Sequence, residues 1–463
     1  MSDPNDQVVL TEGLQLLRQF GVSDLLRSCK GVLVNDDLDH VILDAIALTL
    51  MTGKPGEAFA AAFDKRQGIM LVLAKNGPVT EEDSHTVRDL IKTITATTTQ
   101  SVVDVYPFLL SRGRKSIKKQ TGEILKAADE FSHDINAIFD SDRYIPKPTV
   151  EEEFPDSACY RRHKYPDGVE PSYAQMMRDL LADLKLVAAR TDSPTAAMAF
   201  SPLVDVVSML SGCSSLRWAC ECKYAVKHFQ VARNLKRRLL KFCRYIQGIN
   251  ILIKSARRFG SHDIRYCWVD PIAAGTGEST LALSGNHLDA ISRAFGHSLS
   301  ECDQERLAHK FPKMQNEWSN SRNITICLHV EIRLLLHLSG PSIGQDQPMP
   351  IGCSKRTCPC CALWIEAYNR EFNTNWQTSD SGGKPHAGWA LPGPSYAHVN
   401  DAVLDQVSQR LIDKLEAILL PTKSAFSFDD RPSSMPDEME ATIYERLEEY
   451  FRQQRIGESS TEP

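Results

Sequence analysis

His329-Val330-Glu331-Ile332-Arg333-Leu334-Leu335-Leu336-His337-Leu338 is the run on which the fold of this chain turns. It follows a short β-type stretch, Ile324 to Leu328, and its apolar density predicts a buried helix. A Pro/Gly-rich loop over 340–350 leads to a second short apolar run, Ile351 to Ser354. Cys358-Pro359-Cys360-Cys361 then opens a helix expected to reach about Phe372, with Pro359 suited to its first turn. Each motif starts a helix after a strand. That alternation predicts an α/β domain, a small mixed sheet with flanking helices, over about 265–420.

The chemistry sits at those two helix starts. Imidazole nitrogen and thiolate sulfur are the donors zinc prefers, in a tetrahedron. Cys358 and Cys361 at a first helical turn put two sulfurs on one side of a metal, where the helix N-terminus also favours thiolates. His329 is the third candidate ligand, which leaves one position for water. Glu331, two residues on, could stand beside that water without ligating the metal and carry its proton to a departing amine. His-x-Glu followed by Cys-x-x-Cys is the arrangement of zinc-dependent base deaminases. A structural zinc site is the alternative, closed by Cys353, Cys360 or His386. It would leave Glu331 without a task in an otherwise apolar helix, which is costly for a carboxylate.

The runs from His329 to Leu338, from Ile351 to Cys361 and from Pro385 to Pro392 resemble a branch of the cytidine deaminase-like superfamily. That branch comprises predicted nucleic-acid deaminases, abundant in fungi and related to bacterial toxin deaminases. The resemblance covers about 320–395. It implies zinc at His329, Cys358 and Cys361, a proton shuttle at Glu331, and substrate-pocket roles for His386 and Trp389. Thr357 stands where many deaminases carry Pro before the first ligand cysteine. The candidate for the first strand of the sheet is Tyr266 to Val269, which a long helical insertion would separate from residue 324.

The rest of the chain narrows the class. Of 463 residues, 42% are hydrophobic and 24% charged, which excludes global disorder. Net charge is −6, so a uniformly basic binder is excluded. The longest apolar candidate, Val41 to Met51, carries Asp44 and is too short to span a bilayer. The acidic opening, Met1 to Asp6, has no apolar core, so no secretory signal is expected. Thirteen cysteines, five of them between Cys327 and Cys361, then favour a reducing, intracellular setting, cytoplasmic or nuclear.

Residues 1–260 read as a mainly helical region of unknown role. Helical spacing is visible at Leu14 to Leu26, at Ile42 to Leu50, at Leu180 to Val187, and at Val204 to Leu210 after a break at Pro202. Few segments there alternate as strands do. Prolines over 146–171 mark a loop. Asn400 is a plausible N-cap for a helix through Ile418, and 421–463 form an acidic polar tail with a weak helix.

A second feature is basic. Lys223 to His262 hold eleven Lys/Arg and no acid. On a helical wheel, Val231, Leu235, Leu239, Phe242, Cys243 and Ile246 fill an arc of about 120°. Arg233, Lys236, Arg237, Lys241 and Arg244 fall outside it, a face suited to nucleic-acid phosphates, with Leu240 and Tyr245 as possible base contacts. Arg112, Arg114, Lys115, Lys118 and Lys119 form a smaller cluster. The expected activity is zinc-dependent hydrolytic deamination of cytosine or adenine, with DNA or RNA as partner and no membrane. Deamination of a free nucleoside or nucleotide, and an inactive deaminase-like zinc scaffold, are the alternatives.

Overall fold

The centre of the sheet is a strand made largely of alanine, Phe59–Asp64 (β1). In the computed structural model it pairs antiparallel with Met70–Lys75 (β2) on one side and with Met349–Cys353 (β6) on the other. Arg265–Trp268 (β3) runs parallel to β2, and Trp376–Thr378 (β7) parallel to β6. The strand order is β3-β2-β1-β6-β7. Ser279–Ala282 (β4) and Asn323–Ile326 (β5) form a separate antiparallel pair. The structure describes residues 4–22, 38–141, 143–166, 169–190, 196–221, 226–258, 264–269, 278–339, 347–378, 382 and 384–419.

Before the hairpin come α1 (Pro4–Gln19) and α2 (Leu38–Thr49). After it come α3 (Glu81–Thr95), α4 (Val102–Ser132), α5 (Ile135–Phe139), α6 (Val150–Glu153) and α7 (Ala158–Lys164). Then follow α8 (Tyr173–Arg190), α9 (Ala196–Gly212), α10 (Ser214–Glu221) and α11 (Val226–Arg258). Between β4 and β5 lie α12 (His287–Phe295), α13 (Glu301–Lys310) and α14 (Met314–Asn320). The helices α15 (Val330–Leu338) and α16 (Pro359–Phe372) flank β6, and α17 (Ala397–Leu419) follows β7. Residues 1–414 form one unit; of the second, 415–463, the described part is the end of α17.

Both faces of the central strands are covered. Phe59, Ala61, Leu71 and Leu73 belong to the core shared with α2, α3, α4 and α11. The alternate residues Ala60, Ala62, Val72 and Ala74 are equally buried, and α15 packs on the same two strands. A strand buried on both sides needs no polar–apolar alternation, and this hides β1 and β2 in the sequence. On β6, Gly352 lets α2 lie directly on the sheet. A Cβ there would stand 2.1 Å from the Leu43 carbonyl carbon and 2.3 Å from the Asp44 nitrogen. Asp44 also accepts the Cys353 N–H at 2.7 Å.

The fold class expected from the sequence is present: a mixed α/β chain with a small mixed sheet and flanking helices. Several details are corrected. The sheet draws β1 and β2 from within 1–260, so it crosses the boundary placed near 260–265. Residues 265–268 form an edge strand rather than the first strand, because β2 offers its free edge to them. The stretch before His329 is a strand, but it pairs with β4 and not with the main sheet. Pro202 lies inside α9, which continues through it. Asn400 lies inside α17 and acts through its side chain: it accepts from Trp364 Nε1 and donates to the Pro392 carbonyl, each at 3.0 Å. Leu25, Leu26 and the tail 421–463 lie outside the described residues. Among the described residues, no single helix is long and apolar enough to cross a membrane.

Candidate metal centre

His329 and Cys358 are the N-cap residues of α15 and α16, each in an extended backbone conformation. A cap residue's side chain stands free of the helical ladder, beside the unpaired N–H groups of the first turn. Cys358 Sγ accepts the Cys361 N–H at 3.3 Å, an N-cap bond that favours a thiolate. Cys361 Sγ lies 3.4 Å from His329 Nδ1. The donor atoms of His329, Cys358 and Cys361 all fall within 4.8 Å of one another, an arrangement compatible with a metal ion. Among the described residues, this group has no fourth His, Cys, Asp or Glu member. Cys361 is buried whereas His329 and Cys358 are half-buried.

Glu331 sits in the first turn of α15 and is buried. Its Oε2 is 3.8 Å from Cys361 Sγ. Burial raises its pKa, against the pull of His329. Burial also opposes ionisation of Cys358, but hydrogen bonds from Cys360 and Cys361 and the charge of His329 hold that thiol well below its ordinary value. Burial likewise disfavours the charged His329 ring, yet the Cys358 thiolate and Glu331 outweigh it and raise the imidazole to about 9. Cys361 is pushed well above the usual thiol value, chiefly by burial and then by Cys358. Cys360 is fully buried and Cys353 nearly so.

The loop after β7 closes the site from behind. Cys327 and Trp389 form a parallel bridge, with Cys327 N–H donating to the Gly388 carbonyl at 3.0 Å and Ala390 N–H to the Cys327 carbonyl at 3.1 Å. Gly388 is required by this close approach: a Cβ would stand 2.7 Å from the Thr325 carbonyl oxygen. Trp389, expected to line a substrate pocket, is fully buried, and its Nε1–H donates to Cys361 Sγ at 3.2 Å. From there it holds a thiol. His386 is exposed, with its ring centroid 5.2 Å from that of His329. The structure thus brings His329, Glu331, Cys358, Cys361 and His386 together.

Sequence reading missed Gln7. This buried α1 side chain donates to the Trp389 carbonyl at 3.1 Å and accepts the Leu391 N–H at 2.7 Å, clamping the loop that carries Trp389. Its bond to Thr11 Oγ1 at 3.0 Å is local, but nothing in the sequence marks the two loop partners, which lie more than 380 residues away.

On α11 the expected division of faces holds in part. Leu235, Leu239, Phe242 and Ile246 are buried; Arg233, Arg237, Lys241 and Arg244 are exposed and Lys236 is half-buried. Leu240 is exposed, but Tyr245 is buried in the core and unavailable to a ligand. In the α4 cluster, Arg112 pairs with Glu82 and Asp83.

Residues 328–393 match a family model described as OTT_1508_deam-like deaminase. The matched span starts just before α15 and ends in the loop before α17, so it contains every residue of the cluster. It supports a deaminase of the cytidine deaminase-like type. No curated protein and no solved structure matches the chain.

Proposed function

We propose that this chain, whose residues 328–393 match a deaminase family, is a zinc-dependent hydrolytic deaminase of a nucleobase, cytosine or adenine, carried in nucleic acid. The observation that carries the reading is Glu331. It is a buried carboxylate beside three metal-donor side chains, yet not one of the three. The two-sulfur, one-nitrogen donor set suits zinc.

His329, Cys358 and Cys361 would hold the ion, which when bound supplies an activated water. Glu331 takes a proton from that water and passes it to the ring nitrogen next to the amine-bearing carbon. The water oxygen would add to that carbon, and Glu331 would then move the oxygen's remaining proton to the amine, so that the C–N bond breaks, ammonia leaves and a carbonyl stays in its place. Trp389 and the Cys358 cap bond fix the two sulfurs, and His386 stands on the exposed side, where a base would enter.

The test is zinc content together with ammonia release from cytosine- and adenine-containing substrates. Glu331→Gln is expected to keep one zinc and lose at least about a hundredfold in turnover. Loss of zinc in that variant would refute the role given to Glu331. Retained turnover would refute it equally.

A further inference from the structure

Two helices and one loop converge at the rim of the metal centre, and each contributes cations. Glu123 of α4 pairs with Arg238 of α11, and Val102 N–H of α4 donates to Asn250 Oδ1 of α11. These contacts fix the two helices antiparallel. Lys119 lies one turn before Glu123, and Lys241 three residues after Arg238, so each shares a face with the paired residue. The register therefore sets Lys119 and Lys241 at the same level.

The loop before Cys358 reaches the same place. Ser354 is tied to β1: its Oγ accepts the Phe59 N–H at 2.8 Å, and its own N–H donates to the Phe59 carbonyl at 2.9 Å. The turn that precedes β1 touches α4, where a Cβ on Gly53 would stand 3.0 Å from the Ser116 nitrogen. Lys355 and Arg356 follow Ser354 directly, and Cys358 begins α16 two residues later. Lys119, Lys241, Lys355 and Arg356 are all exposed. Glu123 is taken by Arg238, and Glu57 in the turn is buried and accepts from Thr52 and Gly53. Desolvation where the helices meet, and then the like charges of Arg356, Arg238 and Lys119, lower the pKa of Lys241 against the pull of Glu123.

We propose that Lys119, Lys241, Lys355 and Arg356 form a phosphate-binding rim to the metal centre, which holds the backbone of a single-stranded nucleic acid beside the base that enters. The entering base rests on the deaminase reading; the phosphate contacts do not. Cations spread over α4, α11 and the 355–356 loop suit a run of backbone phosphates better than the single phosphate of a free nucleotide.

The test is fluorescence anisotropy of the full chain with end-labelled single-stranded DNA and RNA of about 20 nucleotides, over a range of salt. The triple variant Lys119→Ala, Lys241→Ala, Lys355→Ala is expected to lose at least tenfold in affinity. Its log K against log salt should flatten by about 2, since each single-strand contact contributes roughly 0.7. Arginine at the same three positions should restore binding, which separates charge from folding. A preference for one strand type identifies the sugar and leaves the proposal standing. It falls if neither strand binds, if the triple variant binds as wild type, or if only Arg233→Ala, Arg237→Ala, Arg244→Ala weakens binding. Ammonia release from free cytidine or adenosine with no oligonucleotide binding sinks the rim and keeps the deaminase. Rim-dependent binding with no ammonia from any substrate does the reverse.

Discussion

The indole N–H of Trp389 donates to Cys361 Sγ at 3.2 Å, and neither side chain is exposed. A tryptophan in the late loop thereby acts on the second sulfur of a motif 28 residues earlier. Its position depends in turn on Gln7 of α1, which bonds the backbone on either side of Ala390.

Trp389→Phe keeps the ring and removes the donor. The variant is expected to fold and to bind zinc roughly 10–100-fold more weakly, as for other groups that orient metal ligands. Competition against a chelator of known affinity measures this, and unchanged zinc affinity would show that the bond is incidental.

Gly352→Ala places a methyl group 2.1 Å from the Leu43 backbone, where a flexible side chain cannot simply swing away. Either α2 lifts from the sheet or β6 moves, and the expected cost is about 3 kcal/mol or more. Thermal melting reads it. A melting temperature within a degree or two of wild type would contradict the close packing of α2 on β6.

A fragment of residues 265–420 is expected not to unfold cooperatively. It keeps the metal-binding motifs but lacks β1, β2 and α2, which leaves β6 without its antiparallel partner and α15 without much of its packing surface. Circular dichroism melts and limited proteolysis of the fragment beside the full chain decide it. A sharp, protease-resistant transition in the fragment would contradict the shared sheet.

Asp83 joins α3 to β2 and α4 and makes stability depend on pH. It is buried, accepts from Lys75 at 2.6 Å and Arg112 at 3.2 Å, and completes the α3 capping box with Thr80. Burial pulls its pKa upward, but Lys75 and Thr80 outweigh that and hold it below the ordinary value. The stabilisation is present above the unfolded pKa, about 3.9, and fades as pH falls through the lower folded value. Asp83→Asn should therefore cost about 1–3 kcal/mol at neutral pH, with a gap to wild type that narrows below about pH 4. Denaturant titrations at several pH values measure the gap; one independent of pH would show that the charge of Asp83 plays no part.

The amino-acid sequence determined the parts of this protein whose physics is local. His329 and Cys358 start helices because extended residues followed by Val330-Glu331 and by Pro359 make helix caps, and caps leave side chains free to bind. The Cys358–Cys361 spacing is one helical turn, and Glu331 follows His329 closely enough to share its site. The face of α11 follows from helical periodicity in the same way. Tertiary structure decided the rest. The two central strands read as featureless apolar runs because helices cover both their faces, and β1 finds β6 almost 300 residues away. Trp389 is a buried donor to Cys361, set there by the bridge to Cys327. Gln7 and the convergence of Lys119, Lys241 and Lys355 rest on contacts between segments with no common periodicity. No spacing rule reaches across such distances; only packing brings those residues together.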